Sequence, residues 1–323
     1  MRTNHAIVTG IRGQDGIYLA RRLSSLGMTV TGTSRRADVL SPNLELLIQD
    51  GSVSVVPWDG TKQCEFSELL RQEQPKYVFN LAALSAGSTM FDDPVSIAEV
   101  NGLSVVRILE AIRSTDPNIR FCQASSSELF GNTTIAPQCE QSLMNPRSPY
   151  GAAKLYAHSM VRIYREKHGL FLSSAILYNH ESPLRELGFV SRKITHAAAS
   201  IRQGHADNLS LGSLDSLRDW GFAGDFVEAM RLMLVVDEPD DFVIATGRLH
   251  SVRQLCECAF SHVNLDYRRF VREDHTLQRA AELIPLVGNA QKARERLAWK
   301  PSVEFAEMIS LMVDADMALL SRK

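Results

Sequence analysis

Four residues in the middle of the chain have the types and spacing that oxidation and proton transfer require. Tyr150 and Lys154 are four positions apart in a predicted helix, so their side chains lie on one helix face. There the lysine ammonium can lower the pKa of the phenol, which lets the tyrosine act as a base near neutral pH. Ser126 and Glu128 follow a predicted strand. The serine hydroxyl can hold a substrate oxygen beside the phenol, and the glutamate supplies a second base.

The second base, Glu128, favours a reaction of more than one step. Simple alcohol oxidation does not require it, so two bases with a nicotinamide cofactor predict oxidation followed by a further proton abstraction. Two other interpretations stay open. The Tyr-x-x-x-Lys spacing occurs by chance on many helix surfaces, and a glutamate after a strand can cap a turn or form an ion pair.

A glycine-rich segment near the amino terminus predicts a dinucleotide site. It runs from Thr9 to Gly16 between a predicted strand, Ala6–Thr9, and a predicted helix, Ile17–Leu26, with the spacing G-x-x-G-x-x-G. Glycines in such a turn let backbone N–H groups approach a pyrophosphate at the helix amino terminus. The cofactor-binding candidates in this segment are Gly10, Arg12, Gly13, Gln14, Asp15 and Gly16.

The residues after the second predicted strand favour NADP over NAD. An acidic side chain there would accept hydrogen bonds from the ribose hydroxyls of NAD, but this chain has Arg35 and Arg36. Two guanidiniums suit the 2′-phosphate of NADP, and the alternative is a solvated basic turn. Asp59, after the third strand, can accept from the adenine amine. The remaining cofactor-binding candidates are Leu81, Ala82 and Ala83 after the fourth strand, together with Tyr150 and Lys154.

The elements that position these residues follow an alternating pattern of strands and helices. Short β-branched runs alternate with helical segments up to about residue 178, which predicts a Rossmann-like, doubly wound parallel sheet of the α/β class. The predicted strands are Ala6–Thr9, Thr29–Thr33, Val53–Val56, Tyr77–Asn80, Arg120–Gln123 and Phe171–Leu177. Long helices are predicted over Pro94–Thr115 and Tyr150–His168 from their apolar periodicity.

The second half of the chain predicts a smaller, mainly helical, substrate-binding lobe. Loops are predicted at Asn179–Pro183 and Arg218–Gly221, helices at Phe189–Gln203 and Pro301–Leu320, and a late strand at Asp241–Ala245 that returns to the sheet. We therefore predict a cofactor-binding domain over 1–178 with a returning segment near 220–248, and an interleaved lobe over 179–323.

Composition is that of an ordinary globular enzyme. The 323 residues are 45% hydrophobic and 22% charged, and the net charge of −2 gives no indication of a nucleic-acid or membrane partner. No apolar run approaches the roughly 18 to 20 residues of a membrane span, and the first residues lead directly into a strand, without a signal peptide. The five scattered cysteines lack zinc or redox spacing and are expected to be reduced thiols. We expect a cytoplasmic protein without a metal site.

Several motifs resemble the extended short-chain dehydrogenase/reductases and, within them, the GDP-mannose 4,6-dehydratase family. The resemblance covers nearly the whole chain. It depends on the glycine-rich segment Thr9–Gly16, on Gln123–Gly131 (QASSSELFG) and on Pro146–Tyr156 (PRSPYGAAKLY). The motifs Asn179–Pro183 (NHESP), Arg218–Gly221 (RDWG), Asp237–Gly247 and Trp299–Pro301 extend it. The SELFG and NHESP runs are the more specific ones.

The resemblance implies a hydro-lyase that uses NADP. GDP-D-mannose would be converted to GDP-4-keto-6-deoxy-D-mannose by transient oxidation at C4, elimination of water across C5 and C6, and hydride return to C6. Carried over by position, the family's catalytic threonine falls on Ser126, and its glutamate, tyrosine and lysine fall on Glu128, Tyr150 and Lys154. The implied substrate-binding residues are Ser85, Ser126, Glu128, Asn179, Lys193, Arg218, Arg279 and Glu282. A homo-oligomer, either dimer or tetramer, is also implied.

Because of departures from the family pattern, the sequence does not decide which GDP-sugar is the substrate. The segment Leu84-Ser85-Ala86 replaces a bulkier triplet in the expected sugar pocket, so GDP-D-glycero-D-manno-heptose is an alternative substrate for the same mechanism. Arg12 replaces a small residue in the glycine-rich turn, and Ile284 replaces a carboxylate near the nucleotide. An alternative from a different class is an inactive NADP-binding partner protein, which the intact set of four catalytic candidates disfavours.

Overall fold

Seven parallel strands form the central sheet of the computed structural model, which describes residues 4–39, 41–85, 91, 93–277 and 284–321. The strands are β1 His5–Thr9, β2 Thr29–Ser34, β3 Val53–Pro57, β4 Tyr77–Asn80, β5 Arg120–Ala124, β6 Leu172–Leu177 and β11 Phe242–Ile244. Their order is β3-β2-β1-β4-β5-β6-β11, and each neighbouring pair is parallel. The order reverses between β1 and β4, where doubly wound sheets bind ligands. The predicted fold class is confirmed, and the late strand predicted at Asp241–Ala245 is present.

Helices cover both faces of this sheet because alternate strand residues point to opposite sides. Val8 and Phe79 pack on one side with α1 Gln14–Ser25, α2 Pro42–Gln49 and α8 Ala223–Met233. Ile7, Val78 and Phe121 pack on the other side. The helices there are α3 Gln63–Glu73, α4 Pro94–Ala98, α5 Ser104–Thr115 and α6 Pro149–His168.

A second hydrophobic core belongs to the later part of the chain. Ile194, Leu255, Phe260 and Met312 are fully or almost fully buried in it. Its helices are α7 Val190–Arg202, α9 Val252–His262 and α11 Phe305–Leu320, which pack on one another. Helix α10 Gln291–Leu297 instead packs on β11 and α8 in the first core. Short strand pairs complete this part: β7 Asn179–Glu181 with β10 Trp220–Phe222, β8 Leu209–Leu211 with β13 Val271–Glu273, and β9 Leu217–Arg218 with β12 His250–Ser251.

Two segments that the sequence predicted as loops are short strands instead. Asn179–Glu181 pairs in parallel with Trp220–Phe222, and Leu217–Arg218 pairs with His250–Ser251. Pairings of two or three residues are too short for a visible alternation of apolar and polar side chains. They form because residues distant in the chain meet, which local sequence does not reveal.

The long helix predicted over Pro94–Thr115 is interrupted. A π-helical turn at Glu99–Leu103 separates α4 from α5. Within it, the buried Asn101 accepts from the Leu84 backbone N–H at 2.8 Å and donates to the Leu84 carbonyl at 3.0 Å. The wider turn thus lets one helix residue pair with both backbone groups of the segment that follows β4.

Within the described part of the chain, no helix is both long and apolar enough to cross a membrane. All five cysteines are free thiols.

Candidate active site

The catalytic candidates meet where β5 and α6 approach each other. Ser126 follows β5 and caps a 3₁₀ turn at Ser127–Leu129, with its Oγ accepting from the Glu128 N–H at 3.2 Å. Tyr150 lies in the first turn of α6, which begins after Ser148; the Ser148 Oγ accepts from the Gly151 N–H at 3.1 Å. The Ser126 hydroxyl lies close enough to the Tyr150 phenol to lower the phenol's pKa by hydrogen bonding. The structure therefore places the Ser126 hydroxyl beside Tyr150, the residue that the sequence predicts as a base.

Burial dominates the electrostatics of Tyr150. Burial raises the pKa of its phenol to about 12, the hydrogen bond from Ser126 opposes this, and the Glu128 carboxylate adds to it. The direction is opposite to the predicted lowering of the Tyr150 pKa by Lys154. Burial also lowers the pKa of Lys154 to about 8. The Lys154 Nζ atom is 5.7 Å from the centre of the Tyr150 ring and donates to the Ala124 carbonyl at 2.8 Å.

A cleft of about 710 Å³ opens at the carboxyl end of β1 and the amino end of α1. Most of the predicted cofactor residues line it. They are Gly10, Arg12, Gly13, Gln14, Asp15, Gly16, Arg35, Arg36, Leu81, Ala82 and Ala83, and the predicted substrate residue Ser85 joins them. Asp59, Tyr150 and Lys154 are not among the described residues of its lining. The Asp59 carboxylate instead accepts from the N–H and hydroxyl of Thr61 at 2.9 and 2.7 Å.

The shape and charge of this cleft fit a dinucleotide phosphate. Gly10 has a φ of +71°, and a Cβ atom there would be 2.8 Å from the backbone nitrogen of Ala82, so the turn closes only without a side chain. Gly13 caps α1, whose amino end faces the cleft. Arg12, Arg35 and Arg36 contribute positive charge, and the Arg12 Nη1 donates to the Arg36 carbonyl at 3.4 Å.

The later segment 184–189 also lines the cleft, which the sequence did not predict. Its lining residues are Leu184, Arg185, Glu186 and Phe189. The Arg185 guanidinium lies 3.5 Å from the centre of the Phe189 ring, and its Nε is 3.2 Å from a Glu181 carboxylate oxygen. The available signal was Arg185, two residues after the NHESP motif. Its role could not be predicted, because it depends on the fold that brings this segment beside the glycine-rich turn.

Gln14 and Asp15 connect the glycine-rich turn to β7. The Asp15 Oδ2 is 2.9 Å from the His180 Nε2, whose other ring nitrogen is 2.7 Å from the Tyr178 carbonyl oxygen. Burial opposes the charged form of each group, but the ion pair outweighs it, so the pKa of His180 is raised and that of Asp15 is lowered. The Gln14 Nε2 donates to the His180 carbonyl at 3.1 Å. His180 thus joins β7 to the start of α1.

The predicted nucleotide-binding residues are distributed over the second part of the chain. Asn179 pairs with Trp220 through β7 and β10, and Arg218 lies on β9, paired with His250. β7 and β9 belong to separate two-stranded sheets, so these pairings do not join Asn179 to Arg218. Lys193 is exposed in the first turn of α7. Arg279 and Glu282 lie outside the described residues, as does Ala86 of the proposed sugar pocket.

Comparison with known sequences gives one consistent result. The model of the GDP-mannose 4,6 dehydratase family matches residues 7–312. GDP-mannose 4,6 dehydratase 2 of Arabidopsis thaliana is 40% identical, covering 98% of this chain and 88% of the plant protein. The Homo sapiens GDP-mannose 4,6 dehydratase is 39% identical, with 98% and 92% covered. The Vibrio cholerae GDP-mannose 4,6-dehydratase is 37% identical, with 98% and 95% covered.

Solved structures agree on the fold. The Thermotoga maritima UDP-glucose 4-epimerase with UDP-glucose has a TM-score of 0.87 at 21% identity, covering 98% of this chain and 99% of the epimerase. RMD from Pseudomonas aeruginosa, complexed with NADPH, has a TM-score of 0.82 at 21% identity, with 99% and 100% covered. The Bacillus anthracis dTDP-glucose 4,6-dehydratase with NAD has a TM-score of 0.84 at 16% identity, with 96% of both chains covered.

Proposed function

The chain belongs to the GDP-mannose 4,6-dehydratase family, and from this premise we propose that it converts GDP-D-mannose to GDP-4-keto-6-deoxy-D-mannose as a hydro-lyase. The observation that carries the proposal is the meeting of Ser126 and Glu128 at the Tyr150 phenol, whose pKa both side chains shift. Oxidation alone needs only the serine and the tyrosine. The carboxylate supplies the additional base that elimination requires.

The proposed cofactor is NADP. Arg35 and Arg36 lie in the cleft where an NAD site would have a carboxylate, and Arg12 adds a third guanidinium. When bound, an oxidised nicotinamide supplies a hydride acceptor for C4, a hydride donor for C6 after its reduction, and a positive charge. Burial raises the pKa of the Tyr150 phenol to about 12, so this phenol acts as a base only beside positive charge, part of which Lys154 provides.

In the first half of the proposed reaction, Tyr150 removes the proton from the sugar O4 while C4 loses its hydride. The Ser126 hydroxyl donates a hydrogen bond to the same oxygen as negative charge develops on it. The product of this half is a ketone at C4, and the tyrosine holds the proton.

In the second half, Glu128 removes the proton from C5, which the C4 ketone has made acidic. The C6–O bond then breaks, and the departing hydroxide takes a proton from Glu128 or a neighbouring acid and leaves as water. Hydride returns to C6 and a proton to C5. Oxidation and reduction cancel, so the net change is the loss of one water molecule.

Substrate binding is assigned to cations and polar groups outside the catalytic turn. We propose that Arg218 and Lys193 contact the diphosphate, because guanidinium and ammonium groups pair with phosphate oxygens. Asn179 and Ser85 are proposed to contact the nucleotide and the sugar respectively. Arg279 and Glu282 are proposed for the guanosine by their positions in the sequence.

Exposed apolar side chains support a homo-oligomer formed through α5 and α6. Tyr156 and Ile163, which are 43% and 47% exposed, are seven positions apart on one face of α6. Leu103, 42% exposed, follows Gly102, which packs against the Tyr156 ring. We propose that a second copy of the chain covers this face. The molar mass in solution tests this, since Ile163→Glu should release monomers.

We propose a cofactor domain over 1–178, with its returning segment near 220–248, and an interleaved lobe over 179–323. The two hydrophobic cores support this division except near the carboxyl terminus, where Leu286, Ala293 and Trp299 of the lobe pack in the first core. We propose that the protein is located in the cytoplasm. All five cysteines are free thiols, which is typical of proteins in that reducing compartment.

The deciding experiment is to incubate the purified protein with GDP-mannose and NADP, and to identify the product by NMR. A 4-keto-6-deoxy sugar nucleotide is expected, without net reduction of the cofactor, and Tyr150→Phe is the matched inactive control. GDP-D-glycero-D-manno-heptose and dTDP-glucose form parallel arms. Turnover of either compound in preference to GDP-mannose would overturn the proposed substrate.

A further inference from the structure

A line of buried side-chain hydrogen bonds crosses three neighbouring strands below the active site. The Thr9 hydroxyl donates to the Asn80 Oδ1 at 2.5 Å, and the Asn80 Nδ2 donates to the Gln123 Oε1 at 2.8 Å. These residues are register partners at the ends of β1, β4 and β5. All three are at most 1% exposed. Because the Asn80 amide oxygen accepts from Thr9, its amide nitrogen points onward to β5.

The line ends on the oxygen that holds Lys154. The Gln123 Nε2 donates to the Ala124 carbonyl at 2.8 Å, and the Lys154 Nζ donates to the same carbonyl at 2.8 Å. Lys154 is 2% exposed. A carbonyl oxygen has two lone pairs, so these two donors use its full accepting capacity. At the other end, the Thr9 hydroxyl accepts from the backbone of Leu81 and Ala82 in the cleft lining, both at 3.2 Å.

We propose that Gln123 is a positioning residue for Lys154: its amide shares the Ala124 carbonyl with the lysine and fixes the place of the ammonium beside Tyr150. The amide is held by Asn80 and cannot turn away without leaving a buried partner unpaired. The partly positive amide N–H of Gln123 also competes with the Lys154 ammonium for the Ala124 carbonyl oxygen. Gln123 therefore limits how strongly the carbonyl stabilises the charged lysine, in addition to fixing the position of that carbonyl.

Other charged groups around Lys154 stay the same when Gln123 is replaced. Asp15 on α1 acts on the lysine directly. Tyr150 lies one turn earlier on α6, and Glu128, Arg185 and Asp15 act on its phenol. The importance of Gln123 for catalysis rests on the proposed role of Lys154 beside Tyr150. The effect of Gln123 on the position of the Lys154 ammonium does not depend on that role.

The test is a titration of the Lys154 side chain by NMR, in wild type and in Gln123→Met at equal cofactor content. Methionine keeps the length of glutamine and removes the competing donor, so we expect the pKa of Lys154 to rise by about 0.5 to 1 unit. The signal is assigned by its loss in Lys154→Met. Ser174→Ala is the control: Ser174 is the register partner of Gln123 on β6, and its buried hydroxyl has no hydrogen-bond partner among the residues that the structure describes.

An unchanged Lys154 titration in folded Gln123→Met overturns the proposal, as does an equal shift in Ser174→Ala. If Gln123→Met does not fold, Gln123→Glu replaces it, and its carboxylate should raise the pKa of Lys154 by at least as much. A wild type that is inactive on GDP-mannose would refute the proposed function and leave the titration readable. If the wild type is active and the Lys154 titration is the same in Gln123→Met, only the role of Gln123 is refuted and the proposed function stands.

Discussion

Gly151 lies against the backbone carbonyl of Glu128, so closely that a Cβ atom at position 151 would be 2.7 Å from that oxygen. The same atom would be 3.0 Å from the Pro146 Cβ. Helix α6 can therefore approach the turn after β5 only because the residue next to Tyr150 has no side chain. This approach sets the distance between the tyrosine on the helix and the Ser126 and Glu128 groups on the turn.

Replacing Gly151 with alanine should separate these groups. The Glu128 carbonyl is part of the backbone and cannot rotate away, so the helix or the turn must shift. A misplacement of about 1 Å costs about 100-fold in rate. We expect kcat/KM to fall by about that factor. Gly188→Ala is the matched control, since a Cβ atom there would meet nothing within 4 Å. Wild-type kcat/KM in Gly151→Ala would show that the contact does not set the geometry.

Variants of Tyr150 and Glu128 should slow different steps of the reaction. Tyr150→Phe removes the group that takes the O4 proton, so the first oxidation should slow by about 100- to 10,000-fold. Glu128→Gln keeps that group and should impair elimination more than oxidation. Exchange of solvent deuterium into C5, followed by NMR, measures the difference. Wild-type exchange at C5 in Glu128→Gln would mean that another residue is the base.

Arg35 and Arg36 should select the cofactor. Replacing both with alanine removes charge-assisted contacts to a 2′-phosphate, so the dissociation constant for NADP should rise by about 10- to 100-fold, with little change for NAD. Calorimetric titration with each dinucleotide measures this. The double variant Arg71→Ala/Arg113→Ala, on the outer surfaces of α3 and α5, is the charge-matched control. Equal losses for the two cofactors would refute the assignment.

The ion pair of Asp15 and His180 should make stability depend on pH. The pKa of His180 is raised, so its contribution is complete below its ordinary value of 6.5 and is lost as the pH rises through the folded value. The pKa of Asp15 is lowered, so its contribution is present above 3.8 and is lost as the pH falls through the folded value. The pair therefore stabilises most between 3.8 and 6.5.

Asp15→Asn should reduce the free energy of unfolding by about 2 kcal/mol within that window, and by less at higher pH. Burial and the Arg185 charge would then be opposed only by the Tyr178 carbonyl, so the pKa of His180 should fall below 6.5. Chemical denaturation at several pH values and NMR titration of the imidazole measure the two effects. A His180 pKa that stays raised in Asp15→Asn would show that another group holds its proton.

The central sheet was predictable because its strands carry their own signal. Segments such as Ala6–Thr9 and Tyr77–Asn80 are runs of β-branched and aromatic residues, and the glycine-rich turn identifies the first crossover. The interrupted helix was not predictable, because Asn101 bonds to Leu84, a residue in a different segment. The pKa of Tyr150 was predicted in the wrong direction because the sequence shows a neighbouring lysine but not the burial that outweighs it.

The contacts of Gln14 have a thermodynamic consequence for binding order. Its side chain donates to the His180 carbonyl and accepts from the buried Ser182 hydroxyl at 2.7 Å, so the turn that faces the dinucleotide cleft is joined to the strand that carries Asn179. A ligand that immobilises either end removes part of the entropic cost of ordering the other. Linkage makes this cooperativity mutual: GDP and NADP should each strengthen the binding of the other by the same factor, which paired calorimetric titrations measure directly.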